Sequence, residues 1–322
     1  MKRLIGYALV VFFAQVPAAA WSQAFPSKPI RVIVPFGPGG NVDITARTIA
    51  PALGELLGQP VIVENRTGAG GMVGAEAAMR SAPDGHTLLM GSNSSLSVAP
   101  NLYPNWPYDP IKVVTPISNL AIVPFVLVVK PALPVQSLGD LLRLAKEKPG
   151  QLVMASGGSG SSNHLVGELF QLLTGARFVH VPYKGAGPAM VDLVGGQVDL
   201  LFDQASSTVP NVRGGRIRAL AVSARGRWPT LPDTPSFGEV GVRDFEINNV
   251  TGLVGPAGMA PEVVAKIHSA ATKALRVPAV KERFVALGVQ AVGSTPEEFG
   301  AFIREDLARW GKVIKTAGVK IE

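Results

Sequence analysis

The sequence predicts an α/β protein of two lobes, joined by two chain crossings. Three observations carry that expectation. A β-branched strand, a glycine turn and an amphipathic helix follow one another at Val32–Asp43, and the same unit recurs from Leu152 to Leu173. Pro/Gly-rich passages near residues 100–120 and 230–241 separate the regular segments. About 298 residues follow the predicted leader, more than one hydrophobic core usually organises.

The leader reads from Met1 to Ala24. Lys2 and Arg3 form a basic start, Leu4 to Ala20 is apolar apart from Gln15 and Pro17, and Ser22-Gln23-Ala24 is a small-x-small site. That is a secretory signal, with cleavage expected after Ala24 in preference to Ala20. Gln15, Pro17 and the cleavage pattern argue against a retained anchor. The chain has no cysteine, so export to an oxidising compartment brings no mispairing.

In the first lobe, strand Ile30–Val34 leads through Gly37-Pro38-Gly39-Gly40 into a helix of about Val42–Leu57, with Asn41 as its expected N-cap. Strand Val61–Glu64, helix Val73–Ser81 and strand Thr87–Met90 complete a β-α-β-α-β pattern, which specifies a parallel sheet. Ligands of such sheets lie beyond the carboxyl ends of the strands, where the Gly37–Asn41 and Ser92-Asn93 turns fall. The apolar run Ile117–Val129, broken by Pro124, is the expected first crossing.

The second lobe repeats the plan. Helix Leu138–Lys148 precedes strand Leu152–Ala155, the turn Ser156-Gly157-Gly158-Ser159-Gly160-Ser161-Ser162-Asn163 and a helix from His164 to Leu173. Strand Phe178–Pro182, helix Pro188–Val194 and strands Val198–Asp203 and Arg218–Val222 follow. Phe245–Val254 is the return crossing. Helices Glu262–Leu275 and Ala279–Leu287, a strand Val289–Val292 and a last helix capped by Thr295 and Glu298 are expected to rejoin the first lobe. The lobes are thus residues 25–124 with 248–322, and 125–247.

Two glycine turns, one per lobe, are the informative constellation. The N–H groups of a helix start lack intrahelical partners and carry partial positive charge, so such turns hold anions without Lys or Arg. With the hydroxyls of Ser156 and Ser161 they either converge on one carboxylate or phosphate or are two ordinary turns that never meet. Hydrogen bonds to a charged group contribute roughly 1.5–3 kcal/mol each, so a few support micromolar binding near about −8 kcal/mol.

Other chemistries find little support. Gly68-Ala69-Gly70-Gly71-Met72-Val73-Gly74 places Val73 where a dinucleotide motif needs its third glycine, and no phosphate-binding P-loop is present. No GxSxG or HExxH occurs, so neither a catalytic set, a metal site nor a cofactor is expected. The formal charge of +7 falls to +5 without the leader and is scattered, which gives nucleic-acid binding no footing. His164 sits beside the second turn, able to cap or to touch ligand, whereas His86, His180 and His268 read as structural or surface residues. Asp203, at a strand end, either receives a ligand ammonium or hydroxyl or caps the next segment. Lys184 either neutralises a carboxylate or is a solvated turn lysine.

The motifs also resemble those of Bug-type receptors, solute-binding proteins of tripartite tricarboxylate transporters. The matching segments include Phe25–Ile30, Val34–Asp43, Val63–Arg66, Gly68–Gly71, Pro83–Leu88, Ala155–Leu165 and Val181–Gly185. That resemblance implies a monomeric periplasmic receptor of the type II binding-protein fold that closes on a small carboxylate and serves a large and a small integral membrane subunit. It points to Phe36, Gly39, Gly40, Asn41, Ser92, Asn93, Ser156, Gly158, Ser161, His164 and Asp203 as ligand-binding residues. Val113, Met259 and Asn248–Thr251 depart from the usual pattern, the last implying a more polar or roomier cleft. A sensory receptor for a histidine kinase remains an alternative reading, and a secreted hydrolase a remote one.

Overall fold

A computed structural model describes residues 25–103 and 109–318. The predicted leader and its cleavage site lie outside them.

Strand β1 (Ile30–Val34), helix α1 (Asn41–Leu57), β2 (Val61–Asn65), α2 (Met72–Met79) and β3 (Thr87–Ser92) follow the predicted alternation. β1 runs parallel to both β2 and β3. α1 buries Val42, Ala46, Ile49 and Leu53, one face at helical spacing, and ends at Gly58, whose φ of 74° only glycine adopts without strain. After β3 the chain makes a π-helical turn at Ser94–Val98 and two short helices, α3 (Ala99–Leu102) and α4 (Pro110–Val113).

Then comes β4 (Val114–Val129), 16 residues long and longer than the apolar run that predicted it. The second lobe is α5 (Leu138–Glu147), β5 (Val153–Ser156), α6 (Ser162–Thr174), β6 (Val179–Pro182), α7 (Ala186–Val194), β7 (Leu200–Gln204), α8 (Ala205–Arg213) and β8 (Arg218–Val222). The chain returns through β9 (Asn248–Pro256), α9 (Pro261–Ala274), α10 (Pro278–Ala286), a two-residue β10 (Gln290–Ala291) and α11 (Pro296–Ala317). α8 was not predicted: Ser206, Ser207, Thr208 and Pro210 are poor helix formers, and burial of Val209 against the second-lobe core overrides them.

β4 belongs to both sheets. From Val114 to Pro124 it pairs antiparallel with β9, and from Phe125 to Val129 it pairs with β7 and β8. Pro124 sits where the strand changes partners, so its missing N–H costs little of either ladder. The order β2-β1-β3-β9-β4-β7-β5-β6 therefore holds a parallel half-sheet at each end and antiparallel strands between. Ser223 binds both crossings: its hydroxyl accepts from the Phe125 N–H at 2.8 Å and donates to the Ile247 carbonyl.

α9 and α10 pack with α1. α11 does not stay with one lobe. Phe299 and Ile303 pack against Ile33 and Leu89, while Trp310 and Ile314 join the Phe125, Phe170 and Phe202 cluster. A 22-residue helix spans roughly 33 Å, long enough to touch both cores.

Candidate functional site

The first glycine turn is held from within its own lobe. The Asp43 carboxylate accepts from the Gly39 N–H at 3.0 Å, from Asn65 at 2.9 Å and from Arg47 at 2.9 Å, and Asn65 also donates to the Phe36 carbonyl. Asp43 thus pins the turn. Asn41 is not the N-cap: Gly40 holds that position, and no side chain caps the helix. The Asn41 amide is instead buried between lobes. It donates to Thr251 Oγ1 at 2.8 Å and accepts from Ser206 Oγ at 2.7 Å.

Opposite this turn stands residues 184–187, not the Ser156–Asn163 turn alone. Gly37 donates to the Lys184 carbonyl at 2.9 Å, Gly40 faces Ala186, and Gly187 lies against Pro38. The Ser156–Asn163 turn also meets the first lobe. Ser94 Oγ accepts the Ser162 N–H at 2.7 Å and donates to Ser162 Oγ at 2.9 Å, and Gly70 abuts Ser159 and Gly160. The lobes are closed.

Inside the closed interface lies a cavity of about 20 Å³, the room of a single water. Phe36, Gly40, Asn41 and Ser92 line it from the first lobe, and none of its lining residues carries a charge. Sequence reasoning missed Ser94, Gly157, Ser162, Asn163, Ala186 and Gln204, which also line it. Asn249, in a stretch noted only as a departure from relatives, lines it too. The starts of α1, α6 and α7 all reach this wall, together with Gln204, which precedes α8. Their dipoles put partial positive charge on it. The N–H groups of Asn41, Val42 and Asn163 meet no acceptor among the described residues.

Several expected ligand contacts lie elsewhere. Ser156 Oγ is 2.6 Å from His180 Nε2 and accepts the Gly158 N–H at 3.1 Å. Ser161 caps α6 by accepting the His164 N–H. The His164 ring turns from the cavity, accepts from the Gly160 N–H and stacks on His180 with centroids 4.0 Å apart. Burial and the neighbouring His164 hold His180 down at about 4, so it is neutral. The Asn93 amide donates to Asp306 at 2.7 Å and accepts the Val250 N–H, tying β3 and β9 to α11. Gly158 lines a second cavity and Gly39 an outer groove. Hydroxyl contact with the small cavity therefore falls to Ser92, Ser94 and Ser162.

Asp203 lies behind the cavity wall. It is fully buried and accepts from Ser207 at 2.6 Å and Asn163 at 3.0 Å. Burial pushes its pKa up to about 6, against the hydrogen bonds from Ser207, the Gln204 N–H and Asn163 that pull it down. It neither reaches the cavity nor serves as the N-cap of α8, which is Gln204.

A family profile, the tripartite tricarboxylate transporter family receptor, matches residues 45–319. Protein BugT of Bordetella pertussis is 38% identical over 324 residues, covering 100% of this chain and 99% of its own. Three solved structures are similar throughout. Periplasmic binding protein BugD has a TM-score of 0.90 at 34% identity, covering 92% of this chain and 100% of its own. MatC from Rhodopseudomonas palustris, with bound malate, has a TM-score of 0.87 at 34% identity over 90% and 100% of the two chains. A second R. palustris protein, with adipate, has a TM-score of 0.88 at 33% identity over 92% and 99%.

Proposed function

Because this chain belongs to the tripartite tricarboxylate transporter receptor family of periplasmic solute-binding proteins, we propose that it captures a small dicarboxylate by hinge closure. It then delivers the ligand to a large and a small integral membrane subunit. The mature receptor starts after Ala24, and the two lobes close about the paired crossings at Pro124–Phe125 and Ile247–Asn248, with α11 in contact with both cores.

One observation carries this reading. Helix starts from both lobes converge on a neutral polar wall at the lobe interface. Such a wall stabilises an anion through backbone dipoles and amides, with no cation to attract water or counter-ions. Malate in MatC and adipate in the second R. palustris relative fit that chemistry. The contacts expected to hold the carboxylate are Phe36, Gly40, Asn41, Ser92, Ser162 and Asn163.

A thermal-shift screen on protein stripped of ligand by unfolding and refolding tests the proposal. Short dicarboxylates should raise the melting temperature by mass action. A panel of dicarboxylates, aromatic acids and amino acids that leaves it unmoved would contradict it.

A further inference from the structure

The cleft is divided. On the far side of Phe36 and Gly157, which line both spaces, lies a second inter-lobe cavity of about 210 Å³. One wall is Gly68–Gly71 of the first lobe, and the other is Gly157–Ser159 with Pro182–Lys184. The walls stand close because they are bare. A Cβ on Gly70 would come within 3.1 Å of the Ser159 carbonyl oxygen, and one on Gly71 within 2.8 Å of the Phe36 ring. Both glycines hold left-handed φ, 62° and 100°, so the sequence has no easy route to a side chain there.

The small cavity is narrow, about 20 Å³, and the chamber of about 210 Å³ adjoins it at Phe36 and Gly157, so a ligand held at the anion wall has room to extend its body there. Tyr103 closes one side, donating its hydroxyl to the Ser159 carbonyl at 3.3 Å. Lys184 is the one charged residue that lines the chamber. The ion pairs of the described residues do not include Lys184, and its carbonyl accepts the Gly37 N–H. A neutral anion wall on one side of Phe36 and a lysine among the residues lining the chamber on the other suit a ligand that is acidic at both ends.

We propose that this chamber is the specificity compartment, with Lys184 as the residue that selects dicarboxylates over monocarboxylates. The inference rests on the carboxylate-capture reading above and adds the group that receives the distal acid. Lys184 is exposed at the rim, so its substitution leaves the fold intact.

Calorimetric affinities for adipate and hexanoate, six-carbon chains that differ in one terminal carboxylate, test it. Wild type should prefer adipate by about threefold to fivefold, the upper range of an exposed ion pair. Lys184→Met should bring the two acids within about twofold by weakening adipate alone, and Lys184→Arg should keep the preference. An unchanged ratio in Lys184→Met, or an equal loss for both acids, overturns the assignment. Wild type that binds neither acid, nor malate, overturns the capture reading as well, which separates the two failures.

Discussion

Gly37 donates its N–H to the Lys184 carbonyl at 2.9 Å, so the two lobes are joined backbone to backbone beside the cavity. Contact this close requires a glycine opposite as well. Gly185, three residues before Pro188, lies with φ 141° against Gly37, and Gly187 lies against Pro38.

Gly187→Ala should separate folding from closure. Gly187 is within α7, where alanine favours the helix by about 1 kcal/mol, yet its methyl would overlap the Pro38 carbonyl oxygen in the closed form. The ligand-free variant should melt at or above the wild-type temperature, while the rise produced by dicarboxylates disappears. A full ligand-induced rise would show that the lobes do not need this approach.

Ser223→Ala addresses the crossings. It leaves the buried Phe125 N–H and Ile247 carbonyl without the hydroxyl that joins them. An unsatisfied buried group costs about 1–3 kcal/mol, so urea unfolding should show a loss of that size. A change below about 0.5 kcal/mol would mean the crossings need no such tie.

Two buried groups give opposing pH dependences. His180 is held down from 6.5 to about 4, so the stability it contributes is present above about 6.5 and is lost as pH falls toward 4. Asp203 is raised from 3.8 to about 6, so its contribution is present below about 4 and is lost as pH rises through 6. The two slopes oppose one another between about 4 and 6. Asp203→Asn should therefore unmask a steeper loss on acidification, and His180→Gln should unmask a gain. Melting temperatures from pH 4 to 8 check both signs, and parallel curves for all three proteins would contradict them.

The alternation of elements was legible because apolar period and glycine turns are local properties. β1, α1, β2, α2 and β3 all lie where their patterns put them. α8 was not legible, since its helix depends on burial of Val209 rather than on Ser206 to Pro210. The site was legible only as a region. A polar turn residue takes whichever partner the fold brings to it: Asn41 meets Ser206, 165 positions away, and Asn93 meets Asp306, 213 positions away. Asn41 looked like a cap and is a bridge between lobes. Asp43, beside it, had no assigned role and holds the turn in shape.

The most direct test of carboxylate capture at the converging helix starts is calorimetric titration of stripped protein with malate and adipate against their neutral diamides. Helix dipoles and amide donors favour the carboxylates, so the acids should bind near micromolar affinity, about −8 kcal/mol, and the diamides at least tenfold more weakly. Equal affinity for acids and diamides would contradict the account.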